Sequence, residues 1–225
     1  MTKARSAKAL YAPLDAFEAE MQAEIKRLFT PLGLAGFDEL NVIRTKERVE
    51  RIYEQINRKA RKRYAYLIMM AYEWAYSQTG KVPPAQKWDK LVDEFLKGYD
   101  RVTGYVFEKE LDRKVMRLVE AILTAKEYLD RKLLTEAVRK AASLIYTQVT
   151  QVGLDMIEEA LMDAYEEMEV ETLLYHAYMD DRVCEECAAC NGKTYEIDEA
   201  PPLPQHYHCR CFYTPGPKKI VIRTA

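Results

Sequence analysis

The chain has 225 residues, of which 48% are hydrophobic, so it can bury a sizeable core. Its formal net charge of -2 gives no overall attraction to nucleic acid or to an anionic membrane, and any such binding has to come from a local patch. The first residues lack the apolar segment of an export signal, and no stretch reaches the length of a membrane span. These features predict a protein made in a cytoplasm, where clustered cysteines hold metal more often than they form disulfides.

Helical periodicity runs through most of the chain, which has no proline between Pro84 and Pro201. Apolar residues recur there at spacings of three and four, which is typical of helices with one buried face. We expect helices over residues 14–29, 45–80, 87–97, 105–123 and 130–168. Thr45 is the candidate cap of the second helix. Glutamates between residues 158 and 171 are interpreted as a solvated helix end.

The sequence pattern changes after Met168. Residues 170–178 are rich in aromatic and β-branched side chains and predict a strand, which a turn at residues 180–182 would end. Asn191-Gly192 predicts a hairpin-type turn before a strand over residues 193–197. A last short strand is expected over residues 220–223.

All five cysteines and two of the three histidines lie between Asp180 and Pro215. Cys184 and Cys187 form a CxxC pair, which is the commonest half of a structural zinc site because the turn between them points both sulfurs the same way. HxxC and CxC patterns in His206, Cys209 and Cys211 offer the other half. We predict a zinc ion held by Cys184, Cys187, His206 and Cys209, with Cys211 as the substitute for either of the last two.

Three further residues near these ligands are interpreted separately. Cys190 forms a second CxxC with Cys187, but three thiolates from one knuckle are hard to place around one ion, so we interpret Cys190 as a spare. Arg182 and Arg210 flank the ligands and are candidates for offsetting the negative charge of the thiolates. The alternative is that the cysteines are buried free thiols, or form a disulfide in an oxidising compartment.

The predicted fold is therefore mainly α, with an elongated helical body and a small zinc-stabilised, β-containing C-terminal module. We expect three segments in chain order. These are an N-terminal helical segment (1–40), a helical domain (41–169) and a Cys/His zinc-knuckle module (170–225).

The order of elements in this module resembles the C-terminal module of phage Mu protein F-like minor head proteins. The shared order is an aspartate-arginine turn, CxxC, a loop ending in glycine, a proline-containing run and then HxxCRC. The matching residues are Asp181, Arg182, Cys184, Cys187, Gly192, Pro204, His206, Cys209, Arg210 and Cys211. The long helical region before the module is also similar to that family. The chain departs from the pattern at Tyr207, where proline is frequent, and at Thr147-Gln148, where a Thr-Glu pair is frequent.

The resemblance implies a minor head protein of a phage virion and not an enzyme. Such a protein is associated with the portal and acts in head morphogenesis, and in genome packaging or delivery. The implied partners are the portal protein and the major capsid or scaffolding protein, with several copies on a ring-shaped partner. The protein would be made in the host cytoplasm and lie inside the capsid, without contact with a membrane.

A basic run on the second predicted helix is a candidate contact for packaged DNA. It consists of Arg58, Lys59, Arg61, Lys62 and Arg63. A solvated helix face is the simpler interpretation of this run. The aromatic residues that follow, between Tyr64 and Tyr76, are interpreted as core, with stacking on bases as the alternative.

Two other classes of protein remain open at this point. A metal-dependent nuclease of the His-metal finger type would use His208 with Asp180 or Asp181. A cellular zinc-ribbon adaptor would use the knuckle for docking alone. Four strong ligands favour a closed, structural site over a catalytic one, and the sequence contains no HExxH, G-x-S-x-G or phosphate-loop motif.

Overall fold

The computed structural model describes residues 6–84, 88–180 and 183–217, and it describes residues 99–112 by their backbone alone. Its long helices are α1 (Ala7–Gly33), α2 (Val42–Thr79), α3 (Trp88–Glu127) and α4 (Arg131–Glu167). The C-terminal part contains β1 (Thr172–His176), α5 (Glu185–Cys190), β2 (Thr194–Glu196), a 3-10 turn (Ile197–Glu199) and β3 (Phe212–Pro215). The predicted fold class, mainly α with a small β-containing C-terminal part, is confirmed.

The N-terminus of α2 differs from the prediction. The helix begins at Val42, and its cap is Asn41, whose side-chain oxygen accepts a hydrogen bond from the backbone N–H of Arg44 at 2.9 Å. Thr45 was expected to be the cap but lies inside the first turn, where its own N–H donates to the carbonyl oxygen of Asn41. The predicted end near Gly80 is confirmed, since Gly80 has a φ of +73° and follows the helix directly.

The prediction of two separate helices between residues 87 and 123 is wrong. The structure has one continuous helix, α3, which passes through Gly98 and Gly104. A glycine inside a helix costs only about 1 kcal/mol relative to alanine, so two glycines weaken a long helix without ending it. The helix α1 likewise begins earlier than expected and includes Pro13, because burial of Leu10, Tyr11 and Leu14 offsets the hydrogen bond that proline cannot make.

A three-stranded antiparallel sheet forms the C-terminal part, with the strand order β2-β1-β3. In the central strand β1, Leu173 pairs with Tyr195 of β2, and Tyr175 pairs with Tyr213 of β3. The turn at Asn191-Gly192 is confirmed, with Gly192 at a φ of +80°. The sequence did not predict β3. The strand expected over residues 220–223 and the turn residues 181–182 lie outside the described residues.

The chain divides into two compact units, which share α1, α2 and α4 along the sequence. The first unit contains Met1–Asp15, Tyr66–Trp88 and Gln151–Ala225, and therefore the whole sheet. The second contains Ala16–Ala65 and Asp89–Thr150. The predicted segments 1–40, 41–169 and 170–225 concern independent folding and stay a prediction.

Aromatic packing attaches the sheet to the helices of the first unit. Trp74 lies edge-on to Phe212 with ring centroids 5.5 Å apart, and its indole nitrogen donates to the carbonyl oxygen of Ser6. The hydroxyl of Tyr165 on α4 donates to the carbonyl oxygen of Tyr213 at 2.8 Å. The interpretation of the aromatic run as core is thus confirmed for Trp74, whereas Tyr66 is 46% exposed.

The second unit buries apolar residues from all four long helices. Its fully buried side chains include Met21, Ile56, Val115, Ile122 and Leu134. Tyr64 joins two of the helices, since its ring packs against Phe17 and its hydroxyl donates to the carbonyl oxygen of Val149 at 2.9 Å. Surface ion pairs between α1 and α2 flank this core, with Lys59 and Arg63 both bound to Glu20.

Glu158 lies in the core of the first unit and not on a solvated helix end. Its side chain is 2% exposed, and Oε1 accepts a hydrogen bond from the hydroxyl of Tyr11 at 2.9 Å. Burial raises the pKa of Glu158 well above its usual range, and the nearby Cys209 and Asp155 act in the same direction, while the Tyr11 bond opposes them. No basic side chain of the described residues forms an ion pair with this carboxyl.

We predict that Glu158 makes the fold less stable as the pH rises. Because the pKa of this carboxyl is higher in the folded state, the folded state holds the proton more tightly, and this stability is lost as the pH rises through the folded pKa. The Glu158→Gln variant should therefore gain stability relative to the wild type between pH 5 and pH 8, at up to about 1.4 kcal/mol per pH unit. Thermal melting of both proteins across this range measures the difference. A gap that stays constant with pH would contradict the assignment.

Candidate metal centre

The first half of the site is the knuckle at the start of α5. The sulfur of Cys184 accepts a hydrogen bond from the backbone N–H of Cys187 at 3.4 Å, and the carbonyl oxygen of Cys184 accepts one from Ala188 at 2.9 Å. The bond from the Cys187 backbone lowers the pKa of Cys184. This turn brings both sulfurs to the same side of the chain, as the CxxC spacing predicts.

The second half is a tight turn from His206 to Cys209. The backbone N–H of Cys209 donates to the carbonyl oxygen of His206 at 3.1 Å, and His208 takes up the left-handed conformation with a φ of +60°. The Nδ1 atom of His206 lies 3.0 Å from the carbonyl oxygen of Tyr207. Since a carbonyl oxygen only accepts, Nδ1 carries a proton, and in the neutral imidazole Nε2 then keeps the lone pair that a metal ion needs.

The two halves meet at Cys187. Its sulfur lies 3.3 Å from Nε2 of His206 and 3.8 Å from the sulfur of Cys209. The donor atoms of Cys184, Cys187 and His206 all lie within 4.8 Å of one another, and so do those of Cys187, Cys209 and Cys211. A tetrahedral zinc ion with Zn–S bonds of about 2.3 Å holds its sulfurs about 3.8 Å apart, which agrees with the observed spacing.

Cys211, the predicted substitute ligand, lies with Cys187 and Cys209 in the second group of donors. Its thiol hydrogen-bonds to Cys209, and this bond lowers the pKa of Cys209 to about 5 and raises that of Cys211. Both side chains are buried, at 1% and 2% exposure. Cys190 is half-buried at the end of α5 and belongs to neither of the two groups in the described chain.

The donor set fits a metal ion. Thiolates and a neutral imidazole are the ligands that zinc prefers in structural sites, and Cys187 is fully buried at the point where the two knuckles meet. These Cys/His groups could therefore hold a metal ion. The choice of Cys184, Cys187, His206 and either Cys209 or Cys211 as ligands stays a prediction, as does zinc.

Tyr175 is a residue of the site that the sequence did not reveal. It is fully buried on β1, and its hydroxyl has no hydrogen-bond partner within the described residues. Burial raises the pKa of Tyr175, and the thiols of Cys211 and Cys187 act in the same direction. Pairing of β1 with β3 places Tyr175 opposite Tyr213, two positions after Cys211, and only this strand register brings the hydroxyl to the sulfurs.

Of the two arginines predicted to offset the thiolate charge, the structure describes only Arg210. The guanidinium of Arg210 binds Asp15 Oδ1 at 2.6 Å and lies over the ring of Tyr11. The hydroxyl of Tyr11 donates to the carbonyl oxygen of Cys211 at 3.2 Å. Arg210 therefore has a carboxylate partner of its own within the first unit. Arg182 lies outside the described residues.

The residues proposed for a nuclease do not join the cluster. The backbone N–H of His208 donates to the side-chain oxygen of Gln151 at 3.1 Å, and His208 belongs to neither group of converging donors in the described chain. The same holds for Asp180, and Asp181 is not described. Two residues of the basic run form ion pairs, since Lys59 and Arg63 bind glutamates of α1.

One known protein family matches part of this chain. The model of the family described as "Phage Mu protein F like protein" matches residues 107–214, which include every candidate ligand. The resemblance to the phage Mu protein F-like family is therefore confirmed over these residues. This match indicates a protein of phage head morphogenesis and of the virion. No helix in the described part of the chain combines the length and the apolar character that crossing a membrane requires.

A curated protein gives a second match. DNA topoisomerase 1 of Methanothermobacter thermautotrophicus is 30% identical to this chain over 129 residues. The match covers 57% of this chain and 15% of the topoisomerase, so the chain spans a small part of the length of that relative. No solved structure matches the chain.

We predict that Cys187→Ser loses the metal and Cys190→Ser keeps it. Cys187 is the sulfur that both converging groups share, whereas Cys190 belongs to neither. Metal content after purification at neutral pH, together with thermal melting, measures the difference. Equal metal content in the two variants would contradict the site, because the substitutions are chemically identical.

We predict a weaker effect from Tyr175→Phe, which removes the buried hydroxyl beside the sulfurs of Cys187 and Cys211 and keeps the ring. Loss of such a partner typically lowers metal affinity by about 10–100-fold. Competition with a chelator measures the affinity, and the sulfur-to-metal absorption of the cobalt-substituted protein should shift as well. Tyr195→Phe is the matched control, since Tyr195 contacts Cys190 instead. An unshifted cobalt spectrum in Tyr175→Phe would contradict the assignment.

Proposed function

We propose that this chain is a minor head protein of a phage, associated with the portal, and that its C-terminal part is a docking element held by structural zinc. The observation that carries the proposal is the convergence of two knuckles on Cys187 inside the residues that match the family. The family match supports a role in the phage head. A metal ion bound at this site would make the segment rigid enough to dock.

Zinc is proposed because the sheet is too small to hold its own loops. β1, β2 and β3 have five, three and four residues. Strands this short need help from helices or from a metal, and a structural zinc ion contributes folding free energy directly. The ion would tie the loop before β3 to α5, leaving the residues between the knuckles at the surface as the contact region.

The donor set favours a structural over a catalytic role. A catalytic zinc keeps one position open for water, whereas here two groups of three protein donors share Cys187 and offer enough ligands to fill every position. We therefore propose that the chain is not an enzyme. The topoisomerase match does not argue for catalysis, since it covers 15% of that protein.

The partners follow from the proposed role. The portal protein is the proposed direct partner, with the major capsid and scaffolding proteins as alternatives, and several copies would sit on the portal ring inside the capsid. Contact with packaged DNA through Arg58, Lys59, Arg61, Lys62 and Arg63 stays a prediction. Lys59 and Arg63 both bind Glu20, so an ion pair has to break before either binds a phosphate.

Co-sedimentation with head proteins of the same phage tests this proposal. We predict that the purified chain sediments with portal rings, that Cys187→Ser binds at least about tenfold more weakly because the docking element loses its fixed shape, and that Cys190→Ser binds as the wild type does. Binding to the major capsid or scaffolding protein alone would contradict portal association.

A plasmid-nicking assay tests the alternative enzyme. Purified protein is incubated with supercoiled plasmid and divalent cations, with and without chelator, beside the His208→Ala variant. We expect no nicking by either protein. Nicking that chelator and His208→Ala both abolish would overturn the structural role.

A further inference from the structure

A second polar site lies at the start of α2, within the second unit and outside the residues that match the family. It is a cleft of about 360 Å³. The first three turns of α2 form one wall, and the end of α1 and the connection between the helices form the other. The residues that line it are Leu32, Glu39, Leu40, Arg44, Thr45, Glu47, Arg48 and Arg51.

Three arginines give this cleft a positive charge. Arg44, Arg48 and Arg51 follow one another at spacings of four and three, so they lie on one face of α2. Arg44 and Arg48 form no ion pair within the described residues, and Nε of Arg51 donates to the backbone carbonyl of Glu47 at 3.2 Å. The guanidinium groups are therefore available, and the positive end of the helix dipole lies beside them.

Two carboxylates also line the cleft and reduce its positive charge. Three guanidinium groups face Glu39 and Glu47, which leaves an excess of one positive charge before the helix dipole is added. Neither glutamate forms an ion pair with an arginine of the cleft within the described part of the chain. An anion thus meets a positive field that the protein has not already neutralised.

Thr45 provides the second, independent observation. It lines the cleft and is only 2% exposed, and its hydroxyl oxygen is buried without a hydrogen-bond partner in the described residues. Asn41 has taken over the capping of α2, so the threonine hydroxyl is not needed there. A buried hydroxyl without a partner destabilises a fold, and its retention points to a ligand that supplies the missing bond.

We propose that this cleft binds a phosphate group. Guanidinium groups bind phosphate oxygens in pairs of parallel hydrogen bonds, and the Thr45 hydroxyl would donate to a further oxygen. Arg44 and Arg48 carry the binding, and Arg51 adds charge at the far end of the same face. The phosphate is either free or part of the backbone of a nucleic acid. The site is independent of the zinc ligands, and it goes beyond the proposed docking function.

Calorimetric titration with inorganic phosphate at low ionic strength is the first test. Arg48→Gln should lower the affinity at least about tenfold, since it removes one charged partner of the anion. Arg117→Gln is the matched control, because Arg117 is an exposed arginine of the same unit that does not line the cleft. It should bind within about twofold of the wild type.

Thr45→Val separates a binding role from a packing defect. Valine has nearly the same shape without the hydroxyl, so the variant should melt at the same or a higher temperature and yet bind phosphate more weakly. Unchanged affinity in this variant would remove Thr45 from the site and overturn the proposed ligand set.

A short DNA oligonucleotide is the second probe and distinguishes the two sources of phosphate. Binding of the oligonucleotide but not of inorganic phosphate, with loss in Arg48→Gln and not in Arg117→Gln, supports a nucleic-acid backbone as the ligand. Binding of inorganic phosphate with the same dependence supports a free phosphate. Binding of neither probe, or equal binding by all variants with unchanged melting, overturns the site.

Discussion

The position of Cys187 is the constraint on which the C-terminal part of this protein depends. Its sulfur is the meeting point of two knuckles that are separated by a β-strand, a 3-10 turn and a proline-rich connection. Its contacts join the loop before β3 to α5. With a metal ion in place, three or four bonds close this loop, and without one the same loop depends on weak thiol hydrogen bonds.

Aromatic packing connects β3 to the helices of the first unit. β3 begins directly after Cys211, and its first two residues, Phe212 and Tyr213, are held by Trp74 on α2 and Tyr165 on α4. Tyr11 adds a bond from α1 to the buried Glu158. A metal site and a helical core that share consecutive residues are expected to be mechanically coupled, which suits a protein that docks through one end.

Periodicity and spacing predicted much of this arrangement. Apolar residues at helical spacing located α2 and α4, and CxxC with HxxC identified the converging donors. The sequence could not show that α3 is continuous, because glycine weakens a helix without always ending it, nor that Glu158 is buried, because its partner Tyr11 lies far away in the chain. Tyr175 was missed for a similar reason, since its approach to the sulfurs depends on strand register. Thr45 was misassigned because Asn41 is an equally good cap four positions earlier.

The most direct test of the central claim is X-ray absorption at the zinc edge, combined with elemental analysis of the purified protein. We predict one zinc per chain, bound by three sulfurs at about 2.3 Å and one imidazole nitrogen at about 2.0–2.1 Å. Protein that carries no zinc and has its cysteines joined in disulfides would contradict the metal centre, and so would a coordination shell with an open water position. Four sulfurs and no nitrogen would contradict the role of His206.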